Sequence, residues 1–142
     1  MNNYLKLITE IMDLRDLFNS GHQRNVAKYA VKLGQALGLE QSELDNLYTS
    51  ALLHDIGKLM TPHKVLNKPG ELSEDEMNVI RNHPVIGAKL LEAAEFDSKI
   101  VEVAKYHHER WDGSGYPKGL KGEEIDLEAK ILAVALWMLL VF

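Results

Sequence analysis

Apolar residues recur at three- and four-residue intervals through most of this chain, and no stretch alternates apolar with polar residues as a half-buried strand would. That pattern confines the fold to the all-α class. Leu5, Leu7, Ile8, Ile11, Met12 and Leu14 define a first amphipathic helix, interrupted at Asn19-Ser20-Gly21. A second runs from about His22 to Leu37, with Val26, Ala30 and Leu33 inward and Gly38 as its stop. Ser42 is expected to cap a third, which carries Leu44, Leu47, Tyr48, Ala51 and Leu52. Leu59 to Leu72, with Pro62, Pro69 and Gly70, reads as a loop. Ser73 to Glu76 is a capping box that opens a short helix to about Arg81. Pro84 suits the first position of a helix through Ala94, and Asp97 or Ser98 caps the next. Arg110 to Asp126 contains four glycines and a proline and reads as a structured loop before a last helix capped by Asp126.

The chain has 142 residues, 46% of them hydrophobic, which supports one well-filled domain expected to span residues 1–142. A formal net charge of −5 argues against a nucleic-acid polymer as partner, so an anionic substrate would need local cations. With no cysteine, disulfides, thiolate ligands and a cysteine nucleophile are excluded, and a cytoplasmic location fits. Met1 to Leu17 mixes charged with apolar residues and is not a signal peptide. The apolar run from Ile131 to Phe142 is 12 residues, short of the roughly 20 that a membrane helix needs, so no membrane partner is expected.

The chemistry centres on Ala51-Leu52-Leu53-His54-Asp55-Ile56-Gly57-Lys58, the end of an apolar helix that delivers a histidine beside a carboxylate. Helical neighbours sit about 100° apart, so His54 and Asp55 can lean over one rim and share a metal ion. Gly57 is read as the point where the backbone leaves the helix, and Lys58 adds a nearby positive charge. His22, His83, His107 and His108 also fall at helix edges, whereas His63 lies in the proline-bearing loop and is set aside. Taken singly, each is an ordinary surface or hydrogen-bonded histidine. Together with Asp55 they make a di-metal site credible, with one bridging carboxylate holding two ions about 3.5–4 Å apart. Imidazole and carboxylate ligands suit a divalent transition metal, iron or manganese first and zinc or nickel next, as one or two ions.

His54-Asp55-Ile56-Gly57-Lys58 followed by His107-His108-Glu109-Arg110-Trp111-Asp112-Gly113-Ser114-Gly115-Tyr116-Pro117 resembles the HD-GYP branch of the HD metal-dependent phosphohydrolases. Arg15-Asp16, Gly21-His22-Gln23-Arg24, Asn82 to Gly87 and Ile131 to Ala135 extend the likeness over about residues 15 to 135. The resemblance implies an HD-domain bundle of about six to seven helices that hydrolyses a phosphodiester of cyclic di-GMP. By position, His54 and a bridging Asp55 would ligate metal, and His22, His83, His107 and His108 would complete the two spheres. Asp55 and Lys58 would be the catalytic residues, with Lys58 beside the scissile phosphate. Asp112, Gly113, Gly115, Tyr116 and Pro117 would form the signature loop, part of whose role is a tight turn requiring glycine. Phe18 stands where some members carry a glutamate for a third metal, so two ions are the limit.

Two departures point to impaired catalysis. The last helix of the family carries a metal-ligating aspartate where this chain has Leu136, and Trp137 to Phe142 replaces a basic, phosphate-contacting segment and the closing helices. These imply one well-held ion, a weak second one, and self-association as a homodimer through the apolar C-terminal end. The alternatives are a non-catalytic remnant that binds metal, nucleotide or a protein partner, and a hydrolase of another phosphoester.

Overall fold

The computed structural model describes residues 1–141, and Phe142, the end of the apolar C-terminal stretch, lies outside them. The fold is all-α. Its helices are α1 (Asn3–Arg15), α2 (His22–Ala36), α3 (Gln41–Leu53), α4 (His63–Leu66), α5 (Glu74–Arg81), α6 (His83–Ala93), α7 (Ser98–Tyr106) and α8 (Leu127–Val141). Seven of these are longer than one turn. Two 3-10 turns, Ile56–Met60 and Gly122–Glu124, complete the regular structure. No helix among the described residues is long and apolar enough to cross a membrane.

Local chemistry accounts for most boundaries. Gly38 ends α2 with φ +82°, a left-handed conformation that side chains resist. Ser73 accepts from the Glu76 amide at 3.2 Å while the Glu76 carboxylate accepts from the Ser73 amide at 2.8 Å, the reciprocal box expected there. The Asp97 carboxylate accepts from the Lys99 amide at 2.8 Å and starts α7.

Two expectations need correction. Glu40, not Ser42, caps α3: its backbone is extended at φ −70° and ψ 160°, and its amide donates to the Glu43 carboxylate at 2.8 Å. The helix therefore begins before Ser42. The presumed loop from Leu59 to Leu72 instead contains the end of one 3-10 turn and all of α4. A four-residue helix is shorter than any apolar period can reveal, and Pro62 sits just ahead of it, where its missing amide costs nothing.

α2 packs against α3 and α8, α6 against α7 and the 3-10 turn, and α3 against α7. Leu47, Leu52, Leu53, Leu91 and Leu132 are fully buried among these helices. Each is worth about 1.5–3 kcal/mol relative to exposure. The consequence for the site is positional: α3 carries its apolar end into the middle of the bundle, so His54 and Asp55 emerge at the centre and not on a rim.

Gly57 serves a different purpose from ending a helix. A Cβ there would stand 1.9 Å from the His83 carbonyl and 2.7 Å from the Gly87 amide, because the 3-10 turn and α6 touch backbone to backbone. That contact sets His83 against Asp55. Gly57→Ala must push these segments apart, so we expect destabilisation of about 3 kcal/mol or more, above the usual range for overpacking. Urea unfolding checks it: a midpoint unchanged from wild type would contradict the close contact.

Candidate metal centre

Three histidines of the site share one device. The Nδ1 of His54 lies 2.7 Å from the Ala51 carbonyl, that of His83 2.8 Å from the Ile80 carbonyl, and that of His107 2.6 Å from the Ala104 carbonyl. Each carbonyl sits three residues back, in a closing helical turn whose carbonyls lack amide partners. A carbonyl can only accept, so Nδ1 carries the proton and donates it. The Nε2 lone pair is thereby turned inward, the tautomer and orientation that a metal ligand requires.

Asp55 stands between these lone pairs. Its Oδ1 is 3.0 Å from His83 Nε2 and 3.8 Å from His107 Nε2, and its Oδ2 is 3.3 Å from His54 Nε2. Asp55, His83, His107 and His108 form one group whose ligand atoms all lie within 4.8 Å of one another. His22, His54 and Asp55 form a second. The carboxylate thus belongs to both groups. The donor set of imidazoles and one carboxylate, mostly buried and preoriented, fits divalent transition-metal ions. All six sequence-derived ligands converge here.

Lys58 reaches the same carboxylate, with Nζ 2.9 Å from Asp55 Oδ2 and 4.0 Å from Asp16 Oδ2. Burial alone would raise the Asp55 pKa. The positive charge of Lys58 and the closely set rings of His54 and His83 outweigh it and hold this carboxyl well below the usual carboxylate range.

The glycine-rich loop closes one side. The Tyr116 ring stacks on the His108 ring with centroids 4.8 Å apart and planes 14° from parallel. Gly115 permits this approach, since a Cβ would fall 2.4 Å from the His108 carbonyl. Asp112 accepts from the Ser114 amide at 2.9 Å and its hydroxyl at 2.6 Å, Gly113 turns with φ +80°, and Pro117 follows Tyr116 through a cis peptide bond. Glu109, absent from the expected site residues, ties the loop together. Its carboxylate accepts from the amides of Lys118 at 2.6 Å, Gly119 at 3.1 Å and Leu120 at 2.9 Å. The signal was a carboxylate at the head of a glycine-rich segment, whose turning amides need an acceptor.

Leu136 does not join either group. It lines a cleft of about 260 Å³ together with His107, His108, Tyr116 and Trp137. The group containing His22 and His54 accordingly offers three donors, and the other offers four.

Burial, reinforced by His108 and His54, holds His107 well below the usual histidine range. Burial and then His83 lower His108 to about 3, and burial and then His54 lower His22. These rings stay neutral in the metal-free fold at pH values where an unfolded chain protonates them. Stability should therefore be at its plateau above about pH 6.5 and fall with acid, by about 1.4 kcal/mol per pH unit for each group between its folded and unfolded values. Asp55 adds a further loss below the ordinary aspartate range. Urea midpoints of metal-free protein should drop steadily between pH 6.5 and 4.5, and a flat profile across that window would contradict the burial of these rings as neutral groups.

A family model described as HD domain matches residues 6–137. The chain is 43% identical over 135 residues to the cyclic di-GMP phosphodiesterase response regulator RpfG of Xanthomonas campestris pv. campestris, covering 92% of this chain and 35% of that protein. It is 41% identical over 129 residues to 3'3'-cGAMP-specific phosphodiesterase 1 of Vibrio cholerae, covering 91% of this chain and 30% of the relative. Among solved structures, Bd1817, described as an HDG"Y"P protein from Bdellovibrio bacteriovorus, superimposes with TM-score 0.71 at 29% identity. That match covers 82% of this chain and 39% of the other. The chain spans about a third of the length of the curated relatives it matches.

Proposed function

The chain belongs to the HD domain family, in its HD-GYP branch, and on that premise we propose that residues 1–142 act as one metal-dependent phosphohydrolase unit cleaving a phosphodiester of a cyclic dinucleotide. The observation that carries this reading is the division of Asp55, with one oxygen toward His83 and His107 and the other toward His54. Asp55, His83, His107 and His108 would hold one divalent ion, and Asp55, His22 and His54 would hold a second less tightly. The family resemblance, and not the imidazole-rich donor set, favours iron or manganese over zinc or nickel. Divalent ions held there supply polarisation of a phosphoryl oxygen and a more acidic water.

The protein's own groups do the rest. The cleft beside His107 and His108, walled by Tyr116 and Arg110, receives the phosphodiester. Lys58, whose ammonium lies 2.9 Å from Asp55 Oδ2, would by the family resemblance offer it to the negative charge that develops on phosphorus-bound oxygen. Water adds its oxygen to phosphorus, one ribose oxygen departs with a proton, and a linear dinucleotide results. Turnover is slow, because Leu136 presents an apolar side chain where the family pattern has a ligand. The same feature favours a second reading, in which the cleft binds the nucleotide without cleaving it.

Incubation of manganese-loaded protein with cyclic di-GMP and, separately, with 3'3'-cGAMP tests the proposal. Linear product that disappears with a chelator supports it. Binding without product supports the second reading, and neither binding nor product would sink both. Hydrolysis confined to an unrelated phosphoester would move the substrate assignment elsewhere.

Self-association through the C-terminal end is part of the same reading, because Val134, Trp137 and Leu140 remain exposed on α8. That face borders the cleft, and a copy docked on it covers Trp137 and Leu140 at the cleft wall.

A further inference from the structure

Arg15, Asp16 and Gln23 lie in stretches that carry the family likeness, yet neither metal group includes them. They meet beside Asp55, where the end of α1, the start of α2 and the first 3-10 turn border a cavity of about 10 Å³. Two buried atoms of its lining residues, Arg15 Nε and Gln23 Oε1, find no hydrogen-bond partner among the described residues. Gln23 is only 3% exposed, so bulk solvent does not serve its carbonyl oxygen. Another nitrogen of the Arg15 guanidinium is already placed, with Nη2 donating to the Thr61 carbonyl at 2.8 Å. Lys58 and Asp16 line the same cavity, and Lys58 Nζ stands 4.0 Å from Asp16 Oδ2, too far for a direct bond. Polar groups at such a separation are commonly joined through water.

We infer that this cavity is a site for one ordered water, through which α1 and α2 position the Lys58 ammonium. Size sets the limit, because a cavity of this volume takes about one water and nothing larger. Charge gives an ion no advantage, since Arg15 and Lys58 are balanced by Asp16 and Asp55. Hydrogen-bonding capacity then matches. Water accepts from Arg15 Nε–H and from one N–H of Lys58, and donates to Gln23 Oε1 and the Asp16 carboxylate. Asp55 needs no share, because its oxygens already face His54, His83 and Lys58. Lys58 is thereby held on two sides, by Asp55 directly at 2.9 Å and by the water from the side of α1. On the phosphodiester reading, on which this consequence rests, Arg15 and Gln23 are positioning residues for the ammonium that meets the phosphate.

Crystals of the full chain that diffract well enough to show single waters test the site. One density peak should lie within hydrogen-bond distance of both Arg15 Nε and Gln23 Oε1. Gln23→Met keeps the length of the side chain and removes the acceptor, so the peak should vanish. The effect on Lys58 is read by reductive methylation and peptide mass spectrometry. Methylation of Lys58 relative to Lys28, which is exposed on α2, should rise several-fold in Gln23→Met. Leu5→Ala loosens α1 from the core without touching the cavity lining. It should lower the thermal midpoint and leave that ratio unchanged.

A wild-type cavity without a peak, or a peak that bromide replaces on soaking, would overturn the water site. An unchanged ratio in Gln23→Met, or an equal rise in Leu5→Ala, would overturn the positioning. If Gln23→Met does not fold, nuclear magnetic resonance of the wild type decides. A cross-peak between Arg15 Nε–H and a long-lived water supports the site, and its absence overturns it. None of these readouts depends on turnover. A chain that yields no linear dinucleotide would sink the phosphodiester reading and leave a filled water site in place.

Discussion

Asp55→Ala should release metal from both groups in a single step. Asp55 is the one carboxylate shared by the two sets of ligand atoms, and only histidines remain once it is gone. Removing a partner outside the ligand set typically costs about 10–100-fold in metal affinity or activity. Losing the only charged donor, and the bridge with it, should exceed that range for both ions. Asp55→Asn keeps the shape and loses the charge, so it should fail nearly as badly. The fold should survive, because the substitution also removes a buried charge whose desolvation the fold had to offset. Elemental analysis after dialysis against manganese checks this, with near-ultraviolet circular dichroism as the control for folding. An alanine variant that keeps a full ion would show that the carboxylate is not the bridge.

Leu136→Asp should move the metal count in the opposite direction. Position 136 lies on α8, which packs against the helix that begins with His22, and its side chain faces the cleft beside His107. Where the family pattern has its last ligand, a carboxylate there should add one donor and a second negative charge to the centre. The metal-free variant should be less stable, since Leu136 also packs on the core. An uncompensated carboxylate in its place costs on the order of 1–3 kcal/mol. Metal should return that stability: an ion at 100 times its dissociation constant contributes about 2.7 kcal/mol. The signature is therefore a lowered thermal midpoint without metal, a steeper rise with manganese, and a second ion per chain. A variant whose midpoint and metal content both match wild type would mean that position 136 does not reach the centre.

The positions of the histidines were legible because each depends on a local event. A histidine in or just after a closing helical turn meets a carbonyl three residues back, and this holds for His54, His83 and His107 whatever the rest of the chain does. Relations across the fold were not legible. Nothing local assigns one Asp55 oxygen to His83 and the other to His54, since that depends on how α3, α6 and α7 converge. Gly57 looked like a helix stop because its real constraint, the His83 backbone, lies 26 residues away in sequence. Glu109 passed as one letter of a motif until its three amide partners appeared around it. The apolar spacing of α1 was legible, yet only exposure separates Leu5, Ile8 and Met12, which face the core, from Leu7, Ile11 and Leu14, which face away. Ser42 misled because its preference as a cap competes with a reciprocal Glu40–Glu43 arrangement that satisfies the same amides.

The central claim is that one buried carboxylate serves two unequal metal-holding groups. Anomalous diffraction from crystals grown with manganese tests it most directly. The account predicts a strong peak within bonding distance of Asp55, His83, His107 and His108, and a weak peak or none beside His22 and His54. Two peaks of equal height, or a strong peak out of reach of Asp55, would contradict it.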